Sequence, residues 1–394
     1  MMAFDPAAET ARYIDSLGPE RLAKAAAYTT GDQWITLWGV AISLLMAVIM
    51  VRTQVFEKLS ARWQHWGWFR RTATIGVIFF LLSTLLDLPW TIYTGWIRER
   101  AYGLSSQPLG DFLSQHGLSA LLSAVIGGLF LTGIYAFIRK LPRSWPLWGA
   151  LFVGAFTTLM LLAGPALIEP MFNKYTPVPD GPVRDALVEI ADRSQIPHDR
   201  IFLYDGSRQS NNFTANVSGI GSTARIAISD VALKQASLDE VKAVTAHEAG
   251  HYTLGHVWRY IVIFPFLSLI LFWIIRRFYP VAARLLGSET QLGDAAGFPV
   301  FMAMVAVLSL LTVPLMNGIT RKGEREADNY SLMTANKPDA LATALVKTAD
   351  YRDPRPSAWS EAIFHTHPSV EKRVLNAMQW KARHPPSAPL QKAP

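Results

Sequence analysis

Apolar residues are gathered into six long runs along the chain, separated by polar segments. Each run approaches the roughly 20 apolar residues that a helix needs to cross a bilayer. Trp and Tyr residues lie near several ends of these runs, as expected where a helix meets the lipid headgroups. The pattern predicts six transmembrane helices, at residues 35–51, 72–93, 118–138, 145–168, 257–275 and 299–319.

A polar stretch of ordinary globular composition lies between the fourth and fifth runs, at residues 173–255. Its apolar spacing predicts an amphipathic helix at 182–195. Short apolar or alternating runs predict strands at 201–204 and 225–229. Residues 212–222 are expected to form a loop or a further strand between those two.

The last helix of this polar stretch has a clear beginning. Ser237 followed by Glu240 is a capping box, in which each side chain bonds the backbone N–H of the other residue. The helix is expected to continue through His251 and to end near Gly255. Three more helices are predicted after the sixth apolar run, at about 321–348, 358–364 and 369–381.

These elements predict a mainly α-helical integral membrane protein, with about six transmembrane helices and a small α+β domain. The chain is expected to divide into an N-terminal polar segment, four spans, the α+β domain, a two-span hairpin, a C-terminal part of the same domain and a disordered tail. Their bounds are 1–34, 35–172, 173–255, 256–320, 321–383 and 384–394.

The amino-acid composition limits both the class of protein and the residues that could bind a metal. Only 17% of the residues are charged, against about 25% in soluble domains. Many of the Arg and Lys residues behind the net charge of +7 lie in short loops between apolar runs. That distribution is typical of membrane topology determinants and not of a nucleic-acid surface. The chain has no Cys, so any bound metal must be held by His, Asp or Glu.

His247-Glu-Ala-Gly-His251 lies in the capped helix. Residues four apart are neighbours on one helical face, so His247 and His251 can bind one Zn²⁺ through two imidazoles. Glu248 is adjacent and can act on water. This H-E-x-x-H spacing is typical of zinc metallopeptidases. It predicts that the α+β domain is a zinc-peptidase domain, with residues 173–255 as the metallopeptidase domain and 321–383 as the C-terminal part of the catalytic domain. His256 is off that face and is predicted to be structural or interfacial.

A catalytic zinc site needs a third protein ligand and one open position. Glu324, Glu326 and Asp328 follow the sixth span directly. Because spans five and six form a hairpin, this segment returns to the membrane face that carries His247. On a helix, Glu324 and Asp328 share one face, which favours Glu324 as the ligand and Asp328 as the group that orients a His ligand.

The motifs also occur in a characteristic order. His247-Glu-Ala-Gly-His251 is followed by a two-span hairpin, by Glu324-x-x-Ala-Asp328 and by His367-Pro-x-x-x-x-Arg373. This order resembles the type I CAAX prenyl endopeptidases and their bacterial relatives, integral-membrane zinc peptidases of the gluzincin group. The resemblance covers most of the chain and favours a bacterial member. Two features depart from the family. Thr214-Ala215 stands where the family has Asn-Ala, and six spans are predicted here whereas eukaryotic members have seven.

The resemblance implies a role for each of several residues. One zinc ion per chain would be held by His247, His251 and Glu324. Glu248 would be the general base and later the proton donor. The groups expected to line the site, and to stabilise the oxyanion or hold the Glu ligand, are His367 and Arg373, with His365 as a weaker candidate. Residues 216–228 would present a backbone edge to an extended substrate, with Asn216 and Ile226 as the substrate-binding residues.

Several functions are compatible with these motifs. The first is zinc-dependent endoproteolysis of membrane-associated or prenylated, CAAX-type peptides or proteins. Quality control of membrane proteins by the same chemistry is an alternative, and a metal-binding transporter or an inactive scaffold is another. The implied partners are a peptide or protein substrate and the lipid bilayer, without nucleic acid. The sequence leaves the oligomeric state open.

The bacterial inner membrane is the expected location, but the side of the zinc domain is open. Short segments on the opposite side from that domain carry more Arg and Lys. The positive-inside rule would therefore place the domain outside the cytoplasm. The prenyl-protease resemblance implies the cytosolic side.

Overall fold

Helices dominate the computed structural model, which describes residues 4–385. Most of the tail that was predicted to be disordered, 384–394, lies outside these residues. The helices in chain order are α1 (Pro6–Asp15), α2 (Gly18–Arg52), α3 (Val55–Arg62), α4 (Trp68–Ile92), α5 (Arg98–Ala101), α6 (Leu109–Lys140), α7 (Trp145–Ala163), α8 (Pro182–Arg193), α9 (Asp230–Gln235), α10 (Leu238–Thr253), α11 (His256–Leu286), α12 (Phe298–Ala335), α13 (Pro338–Lys347), α14 (Ala358–Phe364) and α15 (Val370–Arg383).

Six helical stretches of the described residues are long and apolar enough to cross a membrane, as the sequence predicts. They are Gly18–Arg52, Trp68–Ala101, Leu109–Lys140, Trp145–Met171, His256–Leu286 and Ala295–Ala335. Large apolar side chains on their outer surfaces are exposed, among them Leu121, Val262 and Leu311 at 60%, 70% and 71%. Such an apolar surface is unfavourable in water and suits lipid. The chain is therefore a multi-pass membrane protein.

The connections between these spans fall at two ends of the bundle. At the end that we call the loop end, α3 packs against the turn Ala295–Gly297. At the other end, the domain end, Ser105 Oγ donates to the carbonyl of Gln209 at 2.7 Å. There, too, the N–H of Asp353 donates to Oγ1 of Thr29 at 2.7 Å. The polar domain therefore lies against one end of the membrane bundle.

A small sheet forms part of this domain, with strands β1 (Tyr175–Pro177), β2 (Ile201–Tyr204), β3 (Ala215–Ser218) and β4 (Arg225–Ser229). Their order is β1-β2-β4-β3; β2 and β4 are parallel, and the other pairs are antiparallel. Leu187 of α8, Ile228 of β4 and Val241 of α10 pack together in its core. Both predicted strands are confirmed, and β3 forms within the predicted loop or strand. This order leaves β3 at an edge, against α10.

Helix α12 connects the membrane and the polar domain. Its 38 residues at about 1.5 Å per residue make it about 57 Å long, whereas the hydrocarbon core of a bilayer is about 30 Å thick. Its C-terminal part therefore emerges from the bundle and packs against α10. The helix predicted at about 321–348 is the end of α12 followed by α13. The break lies at Asn336, which has a φ of 49°, directly before the Lys337-Pro338 pair that disfavours helix continuation.

Candidate active site

Helix α10 carries the H-E-x-x-H motif and begins as the sequence predicts. The N–H of Ser237 donates to Oε2 of Glu240 at 2.7 Å, and the N–H of Glu240 donates to Oγ of Ser237 at 3.3 Å. This reciprocal bonding satisfies two backbone groups that a helix start leaves without partners. Helical spacing then places His247 and His251 on one face, with ring centroids 4.9 Å apart.

Gly250 lets α12 approach α10 closely. A Cβ atom at this position would lie 3.0 Å from Cβ of Tyr330, a distance that would force the helices apart. Close to this point, Ser331 Oγ donates to the carbonyl of Ala243 at 2.6 Å. The absence of a side chain inside the motif thus allows α12 to present Glu324 to the two histidines.

His247, His251 and Glu324 converge on one point. Each offers a ligand atom within 4.8 Å of the others. The two histidine Nε2 atoms are 3.2 Å apart. Nε2 of His247 lies 3.3 Å from Oε2 of Glu324, and Nε2 of His251 lies 3.4 Å from Oε1. His247 and Glu324 are buried, whereas His251 is partly exposed.

The donor atoms of this cluster fit a metal ion. Oε2 of Glu324 is buried, and none of the nitrogen atoms near it within residues 4–385 has hydrogen-bond geometry toward it, which is costly for a carboxylate oxygen. The facing Nε2 atoms of His247 and His251 cannot both donate to each other, since a neutral imidazole has one N–H. A cation between the three side chains would satisfy all of these atoms. Two imidazoles and one carboxylate with an open side are a set that holds catalytic metals.

A buried ion pair lies behind His247. Oδ1 of Asp328 is 2.9 Å from Nδ1 of His247, and Arg373 donates to Asp328 through Nε at 2.7 Å and Nη2 at 2.6 Å. Burial lowers the pKa of His247, but the contacts with Asp328 and Glu324 outweigh this effect and raise it to about 9. Of the two roles expected for Arg373, this geometry favours holding the acidic residues, because Nη2 also lies 3.6 Å from Oε2 of Glu324.

A second network lies behind His251. Its Nδ1 is 2.8 Å from Nδ1 of His256, and Nε2 of His256 is 3.0 Å from Oε2 of Glu326. Arg259 pairs with the same carboxylate at 2.6 Å. Because Glu326 only accepts, Nε2 of His256 carries its proton and Nδ1 accepts from His251. This tautomer leaves Nε2 of His251 with a free lone pair directed at Glu324.

The contact between His256 and His251 was not predicted from helical spacing. Gly255 has a φ of +64° and separates α10 from α11. Since His256 begins a new helix, counting positions along α10 does not describe its direction. The sequence signal that could have located it is the glycine itself, which marks a helix end and a change of chain direction.

Glu248 is half-buried beside the cluster and lines a cavity of about 170 Å³. Burial raises the pKa of the Glu248 carboxyl above its usual range, against the lowering effect of His247 and His251. A raised pKa suits a carboxylate that must accept a proton from water. The apolar part of the cavity wall includes Val244 and Leu341.

His367 faces the same cluster, as the sequence motif suggests. Its Nε2 lies 3.2 Å from Oε2 of Glu324, and Thr366 Oγ1 lies 2.8 Å from Nδ1. Burial, and then the charge of Arg352, hold the pKa of His367 well below its usual range. The imidazole is therefore neutral at pH 7. The weaker candidate His365 instead has Nε2 3.1 Å from Ser360 Oγ.

The two residues expected to bind substrate lie in different environments. Asn216 lies on the edge strand β3, and its Oδ1 is buried without a partner within the described range. The prediction for Ile226 is wrong. Its side chain is fully buried, and its strand β4 is bonded to β2 on one side and β3 on the other. Of β3 and β4, only β3 lies at an edge of the sheet.

Two histidines and a glutamate beside a half-buried carboxylate, at the end of a helical bundle, define a membrane metallopeptidase. The family model described as "Peptidase family M48" matches residues 177–381. A model described as "CAAX prenyl protease N-terminal, five membrane helices" matches residues 7–174. The chain belongs to peptidase family M48 and is a membrane metalloendopeptidase, and this family implies a catalytic metal.

Individual relatives support this placement. "Uncharacterized metalloprotease YhfN" of Bacillus subtilis is 26% identical over 366 residues, covering 91% of this chain and 86% of the relative. "CAAX prenyl protease 1" of Saccharomyces cerevisiae is 28% identical over 374 residues, covering 90% and 80%. The crystal structure of S. mikatae Ste24p matches with a TM-score of 0.76 and 22% identity, covering 95% of each chain. That likeness shows a shared fold.

Proposed function

We propose that this chain is a zinc-dependent endopeptidase that hydrolyses membrane-associated or prenylated, CAAX-type peptides or proteins. The observation that carries the proposal is the convergence of His247 and His251 on the buried carboxylate of Glu324, whose Oε2 lacks a hydrogen bond within residues 4–385. The substrate class rests on the CAAX prenyl protease relatives. The cluster adjoins the polar domain at span ends, which distinguishes it from transport sites near the bilayer midplane.

Zinc is the metal that this donor set favours, with one ion per chain held by His247, His251 and Glu324. The absence of Cys leaves a His and carboxylate site, and Asp328 and His256 orient the two imidazoles from behind. When bound, zinc supplies Lewis-acid activation of water and of the scissile carbonyl.

The residues around the cluster are assigned the other roles in catalysis: proton transfer, stabilisation of the oxyanion and positioning of a metal ligand. Glu248 accepts the proton of the attacking water and passes it to the leaving amine. Neutral His367, which faces the metal cluster, is assigned to donate to the oxygen that becomes negative at the scissile carbon. Arg373 is a positioning residue, since it holds Asp328 and thereby His247.

An extended substrate would add to the free edge of β3. Backbone pairing at a sheet edge gives affinity that depends little on sequence. Asn216 lies on this strand, and its unpaired Oδ1 can accept a hydrogen bond from a substrate N–H. Thr214, in the position where the family has Asn, lies just before it.

We propose the bacterial inner membrane as the location, with the polar domain in the cytosol. Support comes from the bacterial relative and the CAAX prenyl protease relatives. The greater number of Arg and Lys residues at the loop end argues for the opposite orientation. Reporter fusions at Ser106, at the domain end, and after Arg143, at the loop end, decide the question. Cytosolic reporter activity at Arg143 alone would contradict the proposed orientation.

The Glu248→Gln variant tests the proposed chemistry. The purified enzyme in detergent or liposomes should cleave a farnesylated CAAX peptide, and a chelator should abolish cleavage. Loss of the carboxylate should lower kcat by about 10²–10⁴-fold while the metal content stays unchanged. Glu289→Gln, an exposed carboxylate at the loop end, is the matched control. Wild-type turnover in Glu248→Gln would rule out the assigned base, and equal cleavage of the unprenylated peptide would remove the prenyl requirement.

A further inference from the structure

Arg352 stands where two cavities meet beside the active site. It follows the turn Thr348–Asp350 after α13. It lines the cavity of about 170 Å³ that contains Glu248 and His367. It also lines an adjoining cavity of about 230 Å³, bordered by Asp32 of α2. A substrate chain leaving the metal cluster along these cavities would pass its guanidinium.

This guanidinium has no anionic partner among the residues from 4 to 385; the contact that it makes is with the ring of Tyr351, 5.2 Å from the centroid. Burial lowers the pKa of the Arg352 guanidinium, which remains charged at neutral pH because arginine starts from above 12. A partly buried cation without a counter-ion among these residues is stabilised when an anion binds it.

Asp32 and Asp353, which line the adjoining cavity, have other partners, and Glu248 in the catalytic cavity lies beside the metal cluster. Asp32 pairs with Arg98 at 2.9 Å, and Asp353 accepts from the N–H of Arg355 at 2.9 Å. On the metal side, Asp328 is bound by Arg373. Of the two arginines that line the catalytic cavity, Arg373 is therefore neutralised within the protein and Arg352 is not.

We propose that Arg352 binds a carboxylate of the peptide substrate and so selects peptides with a negative charge a few residues from the scissile bond. This rests on the proposed endopeptidase function. The planar guanidinium can hold a carboxylate through two parallel hydrogen bonds. Arg352 lines the same cavity as Glu248, and an extended peptide advances about 3.3–3.6 Å per residue, so the proposal places the carboxylate one to three residues from the cleaved bond.

The carboxylate has two possible sources, with the same recognition chemistry. It is either the free C-terminus of a substrate cut near its end or an Asp or Glu side chain. Four fluorogenic peptides with the same scissile sequence separate the two sources. One ends in a free acid three residues after the bond, one ends there in an amide, one is that amide with Glu as its last residue, and one extends five neutral residues further.

Three enzymes are compared with wild type in metal-loaded form. Arg352→Gln removes the charge, and Arg352→Lys keeps it without the planar fork. Arg355→Gln is the matched control. It removes a charge from the same segment, but that arginine is partly exposed and pairs with Asp15 and Glu371 away from both cavities.

Wild type and Arg355→Gln should cleave the free acid at least tenfold more efficiently than the amide, a ratio that corresponds to about 1.4 kcal/mol. Arg352→Gln should lose this preference because KM rises more for the acid than for the amide, and Arg352→Lys should keep part of it. If wild type cleaves the Glu-containing amide as efficiently as the free acid, any carboxylate at this position is recognised. If it cleaves that peptide no better than the plain amide, the free C-terminus is the group recognised.

Two kinetic results would overturn the proposal: an unchanged acid-to-amide ratio in Arg352→Gln, or an equal fall in kcat for all four peptides. The second result would mean that Arg352 stabilises the reacting carbonyl and not a distant carboxylate. Binding of the same peptides to Glu248→Gln, followed by fluorescence anisotropy, separates this proposal from the proposed function. Preferential binding of the acid that disappears in Glu248→Gln/Arg352→Gln supports Arg352 even if no peptide is cut. Equal binding of acid and amide contradicts it.

Discussion

The two histidines of the cluster are held by networks of different depth. Behind His247, the side chains of Asp328 and Arg373 are 2% and 6% exposed. Behind His251, His256 is equally buried, but the network ends at Glu326 and Arg259, which are 31% and 37% exposed. Both networks direct an imidazole Nε2 at Glu324, yet only the first joins α12 to α15 through the protein interior.

This difference in burial predicts different roles for the two networks: the one behind His247 stabilises the fold, and the one behind His251 orients a metal ligand. Removing one member of a buried ion pair leaves an uncompensated charge in a low-dielectric interior. Removing a partly exposed charge leaves a group that water can solvate. The Asp328–Arg373 pair should therefore be needed for the fold as well as for metal binding. The His256–Glu326 network should affect metal binding almost alone.

Asp328→Ala should have the largest effect. It removes both hydrogen bonds from the buried Arg373 to Asp328 and leaves the longer contact with Glu324 at 3.6 Å, so we expect a loss of up to about 3–5 kcal/mol in unfolding free energy together with loss of metal. Thermal unfolding in detergent measures the first effect and elemental analysis the second. The double variant Asp328→Leu/Arg373→Met should recover stability but not metal. A single variant as stable as wild type would show that the pair does not support the fold.

His256→Ala should have an intermediate effect that is confined to the metal. His251 loses the acceptor that fixes its tautomer, and changes of this kind cost about 10–100-fold in metal affinity. Competition with a chelator measures the affinity, and the visible spectrum of the Co²⁺-substituted protein reports the altered ligand geometry. Glu326→Gln should change both in the same direction by less. An unchanged affinity in His256→Ala would remove the network from the account of the site.

Arg259→Ala should have the smallest effect. Its ion pair with Glu326 is partly exposed, and such pairs contribute about 0–1 kcal/mol. Metal affinity should fall by less than about fivefold, and the difference should shrink in high salt. Chelator competition at low and high ionic strength tests both statements. A loss as large as that of His256→Ala would show that Arg259 is an essential member of the network.

The six spans, the two strands and the capped helix could be predicted because each depends on local spacing. Glu324 could be predicted because a helical hairpin must return to the face where it began. The position of His256 could not, since the left-handed Gly255 changes the chain direction between two helices. Ile226 was assigned to the substrate edge from the family resemblance, and the alternating pattern of its strand could not correct this because it does not tell a central strand from an edge strand. Arg352 belongs to no sequence motif, and its position beside Glu248 and His367 follows from the cavities that they line.

The central claim is that His247, His251 and Glu324 bind a metal that Glu248 uses without holding it. The most direct test is the zinc content per chain of wild type, Glu248→Gln and Glu324→Ala, measured by elemental analysis after purification without added metal. The account predicts one zinc in wild type and in Glu248→Gln, and none in a folded Glu324→Ala. Stoichiometric zinc in Glu324→Ala would contradict it.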